Sequence, residues 1–253
     1  MRIRILPRMI LTAVTLVVAT LFIGLAIILI SLVTSGGPAY LIICAWAWVV
    51  SKSMGLSFSI HGEDKIAPGN SYIITPNHQS NADILALLRM LPPRFRWVVK
   101  KELAKIPVFG WALMRTGAIS IDRADRRQSV QSLKEAKAKL KGGWSVLIYP
   151  EGTRSPDGQL LPFKKGAFMM AVQTGIPILP VTTNGAFKVL PKKTLWFRPG
   201  HITVTIGNPI MTTGLTEKDV PDLMSKTRTE ISKNLDPDYD PFDTVTHDAD
   251  FRQ

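Results

Sequence analysis

Between Arg8 and Lys52 the sequence carries no charged side chain. Residues 9–33 form one apolar run, long enough as a helix to cross a hydrocarbon core of about 30 Å at about 1.5 Å per residue. Such a segment must be buried in protein or placed in lipid, because leaving it in water forfeits the gain of burying apolar surface. A cleaved signal peptide has an apolar region of only about 7–15 residues, so the run reads as a retained anchor. Gly36-Gly37-Pro38 interrupts it. A second apolar stretch at 39–50 is short for a full crossing and suits a re-entrant or interfacial helix. Arg2, Arg4 and Arg8 favour a cytoplasmic amino terminus, and a single crossing would then leave the rest of the chain outside. Trp46 and Trp48 are candidates for the headgroup level, and core packing explains them about as well.

From Leu56 the pattern changes to short apolar runs alternating with helical stretches. Strands are predicted at 56–60, 72–75, 94–99, 118–121, 145–149, 178–182 and 202–206, and helices at 82–90, 108–115, 126–141, 166–174 and 216–234. The 126–141 helix has the clearest periodicity, with Val130, Leu133 and Leu140 near helical spacing and Gly142-Gly143 closing it. Alternation of this kind implies an α/β fold with a mixed, largely parallel sheet and helices on both sides. The chain therefore divides into a membrane-embedded helical hairpin (1–55), an α/β domain (56–235) and an acidic tail (236–253).

Charge narrows the partners. The formal net charge is +12, yet from Asp236 onward there are six aspartates and one arginine, which leaves +17 on the preceding residues. That excess suits an anionic partner, whether nucleic acid, acidic lipid or a phosphorylated substrate, and the tail reads as solvated. Cys44 is the only cysteine, which excludes an intrachain disulfide and a cysteine-rich zinc site. Neither G-x-x-x-x-G-K-[ST] nor H-E-x-x-H occurs, which disfavours a phosphate-cradling NTPase and a zinc protease.

The segment Asn77-His78-Gln79-Ser80-Asn81-Ala82-Asp83 joins a predicted strand ending in Pro76 to a predicted helix. Residues five apart on one helix point apart, so His78 meets Asp83 only if the histidine precedes the first turn and the aspartate lies within it. The pair is chemically useful because imidazole accepts a proton near neutrality. A carboxylate on its other nitrogen fixes the tautomer and stabilises the imidazolium. A histidine merely at a helix start explains the residues as well, and Asn77, Ser80 and Asn81 read as turn and capping residues.

Three further blocks follow. Glu151-Gly152-Thr153-Arg154 sits at the carboxyl end of a predicted strand, where open α/β sheets place ligands. Arginine grips phosphate with a planar fork of donors and glycine permits close backbone approach, although Glu151 and Arg154 read alone also fit a surface ion pair. Gly117 to Arg123 is another strand ending in charge. Lys100, Lys101 and Lys105 form a basic stretch before the apolar 106–111 segment. Residues 176–181 carry no reactive group and read as a wall beside the site.

Together and in this order, the Asn-His-x4-Asp, Gly117–Arg123, Glu151–Arg154 and 176–181 blocks resemble the glycerolipid acyltransferases, specifically the bacterial 1-acyl-glycerol-3-phosphate acyltransferases, over about 60–209. The resemblance implies that His78 activates the sn-2 hydroxyl of 1-acyl-glycerol 3-phosphate, with Asp83 orienting the imidazole. Arg154, Arg123 and Lys105 would hold the phosphate, Glu151 with Gly152 and Thr153 would position the glycerol, and Gly117 would leave space beside Arg123. The implied co-substrate is acyl-CoA or acyl-acyl-carrier-protein and the product phosphatidic acid, with no cofactor, metal, nucleic acid or enzyme nucleophile; Ser80 is the nearest hydroxyl. Such donors are made inside the cell, so the hairpin is expected to dip into one leaflet and return, with the domain on the cytoplasmic face of a bacterial inner membrane. Two alternatives stay open: an acyltransferase for lysophosphatidylglycerol, lysocardiolipin or lyso-ornithine lipid, and a non-catalytic membrane-anchored anion-binding protein. Oligomeric state is not legible.

Overall fold

The computed structural model describes residues 2–34, 37–92, 94–121 and 143–236. Arg123, the helix expected at 126–141 and the tail from 237 lie outside the described residues.

Two helices lead the chain, α1 (Arg2–Ile30) and α2 (Gly37–Met54). They run antiparallel: Ile27 clusters with Ala39, Trp46 Nε1 donates to Thr20 Oγ1 at 3.1 Å, and Arg8 stands beside Gly55. Trp46 is thus engaged between the helices, whereas Trp48 is exposed. The inner helix α2 buries Tyr40, Ala47, Val50 and Met54 in the same core as the strands, so the change of chain character near residue 55 is not a gap in packing. The outer helix α1 leaves Ile10, Val14, Val17, Leu21, Phe22 and Leu25 exposed, and Phe22 is 72% exposed. An apolar face of that length marks a membrane or protein contact. Among the described helices, α1 is long and apolar enough to cross a membrane.

Among the described residues seven strands follow: β1 (Leu56–His61), β2 (Ile73–Pro76), β3 (Phe95–Lys100), β4 (Ile119–Ile121), β5 (Ser145–Leu147), β6 (Ile178–Asn184) and β7 (Gly200–Ile206). They interleave with α3 (Ala82–Met90), α4 (Phe109–Arg115), α5 (Gly166–Thr174), α6 (Ala186–Val189) and α7 (Val220–Lys233). The sheet order is β1-β7-β6-β2-β5-β3-β4, and every pairing is parallel except β6 with β7. The expected mixed, largely parallel sheet is what forms. Among the described α-helices, α6 is not anticipated by the sequence: it has four residues and follows Gly185 at φ 87°, too short for periodicity to reveal.

The central strands are continuously apolar because both faces are covered. Successive residues alternate between two clusters, as a period of two requires. Ile74, Leu147 and Leu179 face α2 and α3, whereas Ile73, Val146 and Ile178 face Phe168 of α5 and Leu223 of α7. Phe168 is fully buried, and truncating such a side chain to alanine typically costs about 3–5 kcal/mol. Because β2, β3, β4, β5 and β6 are mutually parallel, the loops that leave their carboxyl ends share one edge of the sheet. The chemistry gathers at that edge.

Candidate active site

The turn between β2 and α3 is buried and pinned to the neighbouring strand. Asn77 Oδ1 accepts the Thr183 main-chain N–H at 2.7 Å, and Asn77 Nδ2 donates to Thr183 O at 3.0 Å. Asn81, placed to cap α3, makes no side-chain capping bond. Asp83 takes over, its Oδ2 accepting the main-chain N–H groups of Gln79 at 2.8 Å and Ser80 at 2.9 Å. The same oxygen lies 2.9 Å from His78 Nδ1, and Thr183 Oγ1 stands 3.3 Å from Oδ1. Asp83 is fully buried, and these donors satisfy a charge that would otherwise be costly to bury.

A carboxylate accepts, so Nδ1 carries the proton and Nε2 is left with its lone pair. The imidazole is thereby set up as a base at Nε2. Its ring stacks on Tyr149, with centroids 3.7 Å apart and planes at 13°. The Tyr149 hydroxyl is buried with no hydrogen-bond partner among the described residues, and burial pushes its titration well up, aided by the charges of Asp83 and Glu151. Ser80 Oγ is enclosed: it donates to Leu190 O at 2.7 Å and accepts the Ala82 N–H at 3.0 Å.

The loop after β5 grips the same residue from the other side. Glu151 Oε1 accepts the His78 main-chain N–H at 2.7 Å, and the Ser155 N–H donates to His78 O at 2.8 Å. Glu151 Oε2 accepts the Leu161 N–H at 3.0 Å, and Arg228 of α7 donates to Leu161 O and Leu160 O at 2.7 and 2.8 Å. Glu151 is therefore buried with both oxygens on main-chain donors, not in a surface ion pair with Arg154. Burial pushes its carboxyl up to about 7, against the pull of those two amides, with Asp83 adding to the rise and Arg228 opposing it.

Arg154 is half-buried, and its guanidinium makes no hydrogen bond or ion pair among the described residues. Two lysines converge on this loop without any local sequence signal. Lys192 Nζ donates to Arg154 O at 2.5 Å and lies 3.4 Å from Thr153 Oγ1. The Lys164 chain overlies Gly152, which has φ 71° and where a Cβ would sit 3.0 Å from it. The structure thus brings together His78, Asp83, Glu151, Gly152, Thr153 and Arg154. Lys105, exposed at the end of the turn after β3, belongs to the same edge.

Gly117 does not. It precedes β4, at the opposite edge from His78, and a Cβ there would stand 1.4 Å from Arg96 Nη1. Its missing side chain makes room for the Arg96 guanidinium, which donates to Thr116 O and lies 4.3 Å from the Trp144 ring centroid.

A family model described as acyltransferase matches residues 57–184, which includes the whole His78–Asp83 turn and the Glu151–Arg154 loop. The chain belongs to the acyltransferase family. It is 33% identical over 199 residues to an uncharacterized acyltransferase of Schizosaccharomyces pombe, covering 78% of this chain and 71% of that one. It is also 35% identical over 175 residues to the human 1-acyl-sn-glycerol-3-phosphate acyltransferase alpha, covering 69% of this chain and 62% of that one. The crystal structure of the 1-acyl-sn-glycerophosphate (LPA) acyltransferase from Thermotoga maritima superposes with a TM-score of 0.77 at 28% identity, covering 92% of this chain and 95% of that one. The family match is confined to the α/β body, whereas the structural likeness covers 92% of the chain.

Proposed function

We propose that this acyltransferase moves an acyl group from acyl-CoA or acyl-acyl-carrier-protein to the sn-2 hydroxyl of 1-acyl-glycerol 3-phosphate. The observation that carries the reading is the 2.9 Å contact of His78 Nδ1 with buried Asp83, next to a loop whose Arg154 guanidinium has no partner among the described residues. His78 Nε2 takes the hydroxyl proton as the oxygen attacks the thioester carbonyl, and Asp83 stabilises the imidazolium. The tetrahedral intermediate expels the thiolate, the imidazolium returns the proton to sulfur, and the products are phosphatidic acid and a free thiol. Arg154 holds the acceptor phosphate with charge-assisted hydrogen bonds, joined by Lys105 and Arg123. Glu151 positions the His78 main chain. The hairpin lies in one leaflet of a bacterial inner membrane with the site on the cytoplasmic face, so a lipid acceptor reaches His78 without leaving the bilayer. Relatives named for the same acceptor support this assignment.

The test offers purified protein in vesicles lysophosphatidic acid, lysophosphatidylglycerol, lysocardiolipin and lyso-ornithine lipid with each donor. Turnover is expected on lysophosphatidic acid and is expected to fall by about 10²–10⁴ in His78→Ala. Preference for another lysolipid, or undiminished turnover in the variant, overturns the reading.

A further inference from the structure

Residues 190–199 join α6 to β7 and are pinned at both ends. The Arg198 N–H donates to Val189 O at 2.8 Å, and Phe197 is buried in the core. Between the pins, Leu195 is 88% exposed and Trp196 is 41% exposed. Water does not favour two adjacent large apolar side chains, yet the loop is built to hold them outward. Lys193 adopts φ 68°, rare for a residue with a side chain, and the Trp196 N–H donates to Thr194 Oγ1 at 2.9 Å.

The loop's position gives those side chains a purpose. At one end Lys192 reaches Arg154 of the candidate site. At the other, Pro199 Cβ and Arg8 Nη1 both lie within 3.2 Å of the point where a Cβ on Gly55 would stand. The loop therefore bridges the mouth of the site and the amino-terminal end of α1, whose own apolar face is open. A tryptophan beside an exposed lysine suits the boundary of headgroups and acyl chains: the ring sits at the interface and the ammonium meets lipid phosphate.

We propose that residues 193–196 form a second lipid contact, with Leu195 and Trp196 entering the same bilayer surface as α1 and Lys193 pairing with an anionic headgroup. The inference rests on the membrane reading of α1. It adds a lipid contact on the α/β body, close to the site, that holds Arg154 at the level of lipid phosphates. An acidic carrier protein or a second copy of the chain would be the competing occupant. The exposed apolar tip, on a loop whose Pro199 end reaches Arg8 of α1, favours lipid.

The experiment places an environment-sensitive fluorophore on Leu195→Cys, in a Cys44→Ala background, in the full chain reconstituted into phosphatidylcholine vesicles with and without phosphatidylglycerol. Quenching by bromine-labelled lipid at least twofold, with protection from aqueous iodide, is expected, stronger with the anionic lipid. Quenching by iodide without a bromolipid effect overturns the proposal. So does a response only to added acyl-carrier protein, or one that disappears on dilution of the protein. Because the label reads position without turnover, its failure is separable from failure of the enzymatic assignment. In Leu195→Ser/Trp196→Ser, turnover of a bilayer-borne acceptor is expected to fall several-fold while that of a water-soluble short-chain acceptor holds. Equal losses on both contradict a lipid role.

Discussion

The main-chain N–H of His78 donates to the carboxylate of Glu151 at 2.7 Å, across 73 residues of sequence. Through that bond the loop after β5 sets the height of the imidazole above the sheet edge. An acid in the site is thus tied to protein backbone through both its oxygens.

Glu151→Gln tests that role. An amide offers one acceptor oxygen where two N–H groups need partners, so a buried donor is left unpaired at a cost of about 1–3 kcal/mol. Lower kcat with little change in acceptor KM is expected, alongside a lower Tm. The titration carries a sign as well. A carboxyl raised to about 7 in the fold from its ordinary 4.5 means that the folded state binds more protons between those values. Wild-type stability therefore falls as pH rises through that window, by on the order of 3 kcal/mol, and remains at the lower level above it. Denaturant unfolding at pH 5 and pH 8 measures the difference, which is expected to shrink in Glu151→Gln.

Tyr149 has two separable features. Its ring stacks on His78, while its hydroxyl is buried without a partner among the described residues. Tyr149→Phe keeps the stack and removes the orphan, so kcat within about threefold of wild type and an unchanged or raised Tm are expected. Tyr149→Ala removes the platform and leaves a cavity, costing about 3–5 kcal/mol of stability as well as turnover. Parallel kinetics and thermal unfolding of the two variants decide it.

Arg154 is the candidate phosphate ligand with its donors free among the described residues. Losing a hydrogen-bonded charge pair costs about 1.5–3 kcal/mol, so Arg154→Ala should raise acceptor KM by roughly 10- to 100-fold. Arg154→Lys should recover part of this, because a point charge replaces a fork. Titration of lysophosphatidic acid at saturating donor measures it, and an unchanged KM would remove Arg154 from the phosphate site.

Periodicity placed nearly every described element within a few residues, because strands covered on both faces and helices with one apolar side announce themselves locally. The His78–Asp83 meeting was legible for the same reason: a strand end, a turn and a helix start fix the geometry within seven residues. Contacts across the fold were not. Asn77 meets Thr183 over 106 residues and Lys192 reaches Arg154 over 38, and no local pattern encodes either. Gly117 is a further case: the resemblance implies space beside Arg123, whereas the room it leaves holds the Arg96 guanidinium from β3, a contact no local pattern encodes. Tyr149 stood two residues before Glu151 at the end of a predicted strand, a position that hinted at the site without revealing the stack.

In the proposed mechanism the Asp83 carboxylate sets the His78 imidazole to take a proton from a lipid hydroxyl. Asp83→Asn tests it most directly, because the amide keeps the shape while removing the charge and can donate to Nδ1, favouring the wrong tautomer. Steady-state turnover of lysophosphatidic acid by the folded variant is expected to fall by about 10³–10⁴ with acceptor affinity retained. Turnover within a few-fold of wild type would rule that mechanism out.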